Sequence, residues 1–221
     1  SKIRGRLPHT FGKEKNEDKY CGGTIFCDHA TTFVFINNQI SLRTGETLHS
    51  KTLFENISSS HGVKIKHYRT DNGIYKSETF MLNIAKEDQK LDFSVVGAHH
   101  QNVVAERAIG TVASWDRTMI IHATIHWPEQ ANLQLWPFAM EHAVWMWNRL
   151  PKPDIGYSPE ELFTECQSEH ADIKRTHVWG CPVYVLDPRM QDGHKIPKWD
   201  PRAKRGQFLG FSKRHSTTVG L

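Results

Sequence analysis

Gly97-Ala98-His99-His100-Gln101-Asn102-Val103-Val104-Ala105-Glu106-Arg107-Ala108-Ile109 reads as a polar loop feeding directly into a helix. From Val104 the apolar positions recur at Ala108, Val112, Trp115 and Met119, a stripe at spacings of three and four that marks one buried helix face. At roughly 100° per residue, Glu106 sits about 200° round the helix from both Val104 and Ala108, so it points away from the core. Its own face continues through Gly110, Ala113 and Arg117, small and basic residues that let a bulky anionic partner approach the backbone. A carboxylate presented this way is a candidate metal ligand at a nucleic-acid site. The plainer alternative is an exposed glutamate on an amphipathic helix, and two further acids decide between them.

The chain has 221 residues, a net charge of +4 and 38% hydrophobic residues. That length suits one domain with a real core and a smaller appendage. No apolar run approaches the roughly 20 residues of a membrane-spanning helix, so no membrane role is expected. The N-terminus, Ser1-Lys2-Ile3-Arg4-Gly5-Arg6, has neither an initiator Met nor an apolar segment behind it, and is expected to be a cut from a longer polypeptide. Cys21, Cys27, Cys166 and Cys181 form no Cys-x-x-Cys pair and are expected to be reduced thiols. The fourteen histidines are read as including no His-x-x-x-His pair on a helix, so their number alone does not signal a metal. The mild excess of positive charge suits a polyanionic partner.

Residues 1–20 read as an extended or flexible leader. Thr24–Cys27 and Thr31–Ile40 are rich in Thr, Phe, Val and Ile and read as consecutive strands, with Asp28 at the end of the first. Thr44 is expected to cap a helix that ends near Ser58-Ser59-Ser60 and Gly62. Val63 to Tyr68 alternates as a strand and then meets Thr70-Asp71-Asn72-Gly73, a turn signature that leaves Asp71 at the strand end. Ser77 opens a short helix, and Leu91, Phe93 and Val95 alternate as a strand leading to the Glu106 helix. Pro128 is expected in a first helical turn, and the tryptophans between His126 and Leu150 read as core rather than as a base-stacking platform. Pro159 to Phe163 reads as a further short helix. Beyond it, Cys181–Leu186 and Gln207–Phe211 are β-like, with Lys195, Lys198, Arg202, Lys204 and Arg205 in a basic loop between them, a candidate phosphate contact. The expected fold class is therefore α/β, a mixed sheet flanked by helices with a small β-rich C-terminal extension. The divisions are 1–20, 21–165 and 166–221.

Asp28, Asp71 and Glu106 occupy two strand ends and a helix, which is how three carboxylates far apart in sequence can converge. Hard oxygen ligands favour Mg²⁺ or Mn²⁺. In a two-metal site the ions lie about 3.5 to 4 Å apart and stabilise the attacking and leaving oxygens of an in-line displacement at phosphorus.

The Asp-Asn-Gly at Asp71, the His-His-Gln-Asn-x-Val-Ala-Glu-Arg around Glu106, Leu135-Trp136-Pro137, Asn148-Arg149-Leu150-Pro151, Trp179-Gly180-Cys181 and Gln207-Phe208-Leu209-Gly210-Phe211 together resemble the integrase region of a copia-type LTR retrotransposon polyprotein. The resemblance implies a ribonuclease-H-like fold and an Asp, Asp, Glu triad carried by Asp28, Asp71 and Glu106. It implies a polynucleotidyl transferase that joins 3′-hydroxyl ends of element DNA to target DNA. Asp28 and Asp71 would hold one metal, with Asp28 and Glu106 holding the second in the DNA-bound state. It further implies that His99, His100, Gln101 and Asn102 position DNA, that Arg107 and Arg117 contact it, that the protein is a homo-oligomer, and that it works in the nucleus and the retrotransposon particle. Two departures stand out. The 34 residues between Asp71 and Glu106 are one fewer than is usual in retroviral integrases, and Val103 replaces the Gly common before Val-Ala-Glu-Arg. The rival readings are a ribonuclease-H-like nuclease and a catalytically decayed DNA-binding copy.

Overall fold

A computed structural model of the chain describes residues 3–8, 13–71, 73–94, 103–168, 171–191 and 193–212. Strands β1 (Gly22–Cys27) and β2 (Val34–Gln39) form an antiparallel hairpin in which Ile25 faces Ile36 and Cys27 faces Val34. The period-two alternation sends successive side chains to opposite faces. Ile25, Cys27, Val34 and Ile36 pack against Ala108 and Val112 of α3 (Val103–His126) and against Ala143 and Val144 of α4 (Trp136–Arg149). On the other face Phe26 stacks on Phe54 of α1 (Thr44–Ser60) at 5.0 Å, and Phe33 stacks on Phe163 of α5 (Pro159–Thr164) at 4.3 Å. The hairpin is thus the middle layer of a helix, strand, helix sandwich. Aromatic pairs at these separations add to the area they bury.

Strands β3 (His67–Thr70) and β4 (Lys90–Phe93) pair in parallel, with α2 (Glu78–Lys86) between them in the chain. Parallel and antiparallel pairings are both present, as a mixed α/β fold requires. Among the described residues the strands form three separate two-stranded sheets rather than one continuous sheet. Side chains join the first two: Tyr68 of β3 meets Phe26 of β1 edge-on at 6.1 Å. Behind it the buried Lys51 of α1 pairs with Glu55 at 2.9 Å and donates to Asn83 of α2 at 2.8 Å, while the Tyr68 hydroxyl donates to Glu55 at 2.8 Å. A buried ammonium persists only when paired and hydrogen-bonded in this way.

Several local expectations shift. The leader is held in part: Gly5 exchanges backbone hydrogen bonds with Tyr20, and the Arg6 N–H donates to the Gln134 carbonyl at 2.7 Å. A Cβ on Gly5 would fall 2.2 Å from Pro137 Cγ, so this close approach requires glycine. Thr44 is the first helical residue and Arg43 the cap position, with no side-chain cap bond. Strand β3 begins four residues after Val63, because the register with β4 runs from His67 to Thr70, while Val63 and Ile65 pack into the aromatic cluster. Pro128 lies in a turn, and the helix-starting proline is Pro137 in the first turn of α4. Ser77 caps α2 as expected, accepting from the Phe80 N–H at 3.4 Å.

The C-terminal part holds the antiparallel pair β5 (Pro182–Leu186) and β6 (Ala203–Gln207). The last strand therefore ends where the sequence suggested it would begin. Phe208 extends the pairing by one residue, its N–H donating to the Cys181 carbonyl at 2.9 Å and its carbonyl accepting from the Gly180 N–H at 2.8 Å, while its ring and that of Phe211 pack around His142 and Trp145 of α4. Lys204 and Arg205 consequently sit in a strand, not a loop. Among the tryptophans between His126 and Leu150, Trp147 is structural, as read: it meets Trp115 at 6.0 Å and donates its indole N–H to the Thr32 carbonyl at 2.9 Å.

Candidate functional site

Asp28 follows β1 and opens the turn into β2. Its Oδ2 accepts hydrogen bonds from the Thr31 N–H at 2.8 Å and from the Thr31 hydroxyl at 2.7 Å. Its backbone closes the same turn, donating to the Phe33 carbonyl at 2.8 Å and accepting from the Thr32 N–H at 2.9 Å. Thr32 adopts the left-handed conformation, φ 58°, which β-branched residues resist, so the turn needs such ties. The structure thus gives the half-buried Asp28 carboxylate a turn-holding role that its sequence context does not signal. The neighbouring Cys27 thiol is pushed up to about 11, by burial first and by the Asp28 charge second. All four cysteines are free.

Asp71 comes directly after β3, exposed, with its Oδ1 accepting from the Gly73 N–H at 3.4 Å. Tyr75, four residues on, is hydrogen-bonded to the hydroxyls of Thr70 and Thr24, which ties this segment to β1. Burial, and after it the Asp71 charge, push the Tyr75 hydroxyl up, so it stays protonated at neutral pH. Sequence reasoning passes over Tyr75, because a tyrosine after Asp-Asn-Gly offers no spacing signal of its own.

Glu106 stands in the first turn of α3, exposed, as its phase on the helix requires. Arg107, Gly110 and Arg117 are also exposed or partly so, and Ala113 is half-buried. His99, His100, Gln101 and Asn102 lie outside the described residues. Among the described residues no three His, Cys, Asp or Glu side chains form a group that could hold a metal ion, so Asp28, Asp71 and Glu106 are not gathered into one cluster. Clustered carboxylates without a counter-ion repel one another.

Lys195, Lys198, Arg202, Lys204 and Arg205 lie on the surface. Lys204 approaches Asp187 at 3.8 Å and Arg205 approaches Glu129 at 4.0 Å. Lys198 lies over the ring of Trp199, whose side chain is almost fully exposed. This is a basic surface with an accessible aromatic, the pairing that single-strand binders use for backbone and base contacts.

No family model matches the chain. It is 27% identical over 211 residues to the retrovirus-related Pol polyprotein from transposon RE1 of Arabidopsis thaliana, and 25% identical over 208 residues to that from transposon RE2. These alignments cover 93% and 92% of this chain and 13% of each relative, so the chain spans a small part of their length. Among solved structures, the HTLV-2 integrase catalytic core domain in complex with magnesium (trimeric form) matches with a TM-score of 0.48 and 20% identity, covering 66% of this chain and 85% of that one. A simian T-cell lymphotropic virus intasome in complex with PP2A regulatory subunit B56 gamma matches with a TM-score of 0.49 and 16% identity, covering 83% and 60%. The chain is thus related along nearly its whole length to retrovirus-related Pol polyproteins of transposons, as its motifs imply.

Proposed function

We propose that this chain is the integrase catalytic region of a retrotransposon polyprotein, a polynucleotidyl transferase joining 3′-hydroxyl ends of element DNA to target DNA on a ribonuclease-H-like core. The observation that carries the reading is the placement of two motif acids: Asp71 exposed at a strand end, and Glu106 exposed on the first turn of a long helix packed on the hairpin core. Relatedness over more than nine-tenths of the chain supports it.

Asp71 and Glu106 are hard oxygen donors open to solvent, and their chemistry fits Mg²⁺ or Mn²⁺, which bind through one or two carboxylates plus water and substrate phosphates. When bound, two such ions would stabilise the attacking and leaving oxygens of an in-line displacement. Asp28 has one oxygen committed to its turn, which supports a smaller share for it in metal binding than for the other two. Arg107 and Arg117, on the same helix as Glu106, neutralise approaching phosphates, and Gly110 on the same surface leaves room for a backbone. His99 to Asn102 precede this helix in sequence and are the residues to position the DNA end. Lys195, Lys198, Arg202, Lys204 and Arg205 hold duplex or single strand through phosphate contacts. The partners are element-end and target DNA together with further copies of this chain, and the setting is the nucleus and the retrotransposon particle.

The test is resealing of a branched strand-transfer intermediate with Mg²⁺ or Mn²⁺, run beside Glu106→Gln and Asp71→Asn. Metal-dependent resealing abolished by both variants supports the reading, and resealing that survives either one overturns it. The rival is a DNA-binding copy without catalysis. Such a copy would bind DNA with a steep salt dependence and no response to Mg²⁺.

A further inference from the structure

We infer that the C-terminal end of α3 holds a second cation site, built on His122 and His126 and selective for a borderline transition ion such as Zn²⁺ or Cu²⁺. His122-Ala123-Thr124-Ile125-His126 is a His-x-x-x-His pair on a helix, contrary to the expectation that the chain carries none. Residues four apart lie one above the other on a helix, with Cβ atoms about 5 to 6 Å apart. Here the two imidazoles are in contact, their centroids 4.2 Å apart and their planes tilted by 37°.

Three further observations point to a ligand. The His122 Nδ1 is buried without any hydrogen-bond partner, although buried imidazole nitrogens are ordinarily satisfied. His126 opens onto a cleft of about 200 Å³ that is also lined by Trp127, Glu129, Gln130 and Arg205, and the Gln130 Oε1 is likewise buried and unpartnered. Finally, the pair occupies the end of a 24-residue helix, where the macrodipole places partial negative charge and favours a cation.

Imidazole nitrogens suit Zn²⁺, Cu²⁺ and Ni²⁺, whereas Mg²⁺ prefers carboxylates and water. The two histidines supply half of a tetrahedral ligand set. Among the described residues no third His, Cys, Asp or Glu is already in place. Solvent fills the rest, or Glu129 does, whose 86% exposed side chain is free to swing in from its 4.0 Å approach to Arg205. Arg205 also lines the cleft and opposes a second positive charge there. The site is therefore of moderate affinity. Its structural effect is to pin the end of α3 to the turn after it.

The full chain is titrated with Zn²⁺ calorimetrically and with Cu²⁺ by electron paramagnetic resonance, alongside His126→Gln. The substituted residue is exposed, and far-ultraviolet circular dichroism checks its fold. The expected result is that the variant binds one Zn²⁺ fewer than the unsubstituted chain, or binds it at least about tenfold more weakly, the cost of losing even an outer partner of a metal ligand. Nitrogen hyperfine structure on Cu²⁺ that shrinks in the variant supports the same conclusion. Identical stoichiometry and affinity in the two chains overturns the site, as does displacement of Zn²⁺ by millimolar Mg²⁺. His122→Ala gives an independent second reading of the same loss. None of these outcomes depends on strand transfer, so the fate of this site and that of the proposed activity are separable.

Discussion

Asp28 is where the turn role and the ligand role make opposite demands, and two substitutions separate them. In Asp28→Ala the Thr31 N–H and hydroxyl both lose their acceptor, bonds of 2.8 and 2.7 Å at a half-buried site. A lost helix-cap aspartate costs about 0.5 to 2 kcal/mol, and hydrogen bonds to a charged group contribute roughly 1.5 to 3 kcal/mol. Partial exposure and retained backbone bonds bring the sum to about 2 kcal/mol. For a chain of this size that lowers Tm by roughly 4 to 8 °C. Asp28→Asn keeps an amide oxygen for Thr31 and gives up only the charge, so its cost should stay below about 1 kcal/mol. Thermal unfolding followed by circular dichroism measures both. Resealing of the branched intermediate is then scored at a temperature where both variants are folded. The turn role gives a destabilised Asp28→Ala and an Asp28→Asn chain that still reseals DNA. Unchanged Tm in Asp28→Ala, with resealing abolished in a fully stable Asp28→Asn chain, would refute it and make Asp28 a metal ligand of full weight.

The packing of α4 gives two further outcomes. Asn148 accepts from the Val34 N–H at 2.9 Å and donates to the Val34 carbonyl at 2.7 Å, and Val34 itself is only 1% exposed. Asn148→Ala strands both backbone groups at about 1 to 3 kcal/mol each, so urea unfolding should show a loss of about 3 kcal/mol, and a loss under about 1 kcal/mol would contradict the pairing. Burial holds the His142 imidazole down at about 4, with its Nδ1 unpartnered against the Phe208–Phe211 segment. Above the ordinary value of 6.5 both folded and unfolded states keep it neutral; as pH falls from there to about 4, the unfolded chain takes up a proton that the folded one refuses, and stability declines. Asp116 acts oppositely: burial raises it to about 6, so its cost is relieved over the same acid range. The His142 contribution is therefore read as a difference. The stability gap between the unsubstituted chain and His142→Gln should move by about 3 kcal/mol between pH 7 and pH 4, and a gap independent of pH would exclude it.

Element types were legible wherever one periodicity ruled. The runs rich in Thr, Phe, Val and Ile form β1 and β2 as read, and the Ala108, Val112, Trp115, Met119 stripe names the packed face of its helix. Boundaries failed where a long-range partner decided them. Val63 and Ile65 alternate like strand residues yet have no strand beside them among the described residues, and of 207–211 only Gln207 lies in β6, with Phe208 still bonded to Cys181 and Gly180. Asn148-Arg149-Leu150-Pro151 was legible as a motif but not as physics. Only the folded chain shows Asn148 stitched to Val34, and Arg149 paired with Glu160 at 3.1 Å and laid over Trp145 at 4.8 Å.

The candidate site divides along the same line between local and long-range causes. Exposure of Glu106 comes from helix phase alone, and exposure of Asp71 from its place after a strand, so both could be read locally. The role of an aspartate at the end of a strand is set by the residues immediately C-terminal to it. After Asp71 comes Gly73, which makes one bond of 3.4 Å and leaves the carboxylate open; after Asp28 comes Thr31, which makes two bonds under 3 Å and occupies an oxygen. The Thr32 backbone at φ 58° gives that second arrangement its reason, since a strained turn gains most from a side chain that closes it. A strand-end aspartate is therefore better judged by the three residues after it than by the strand before it, and by that measure Asp71 carries the more open carboxylate of the two.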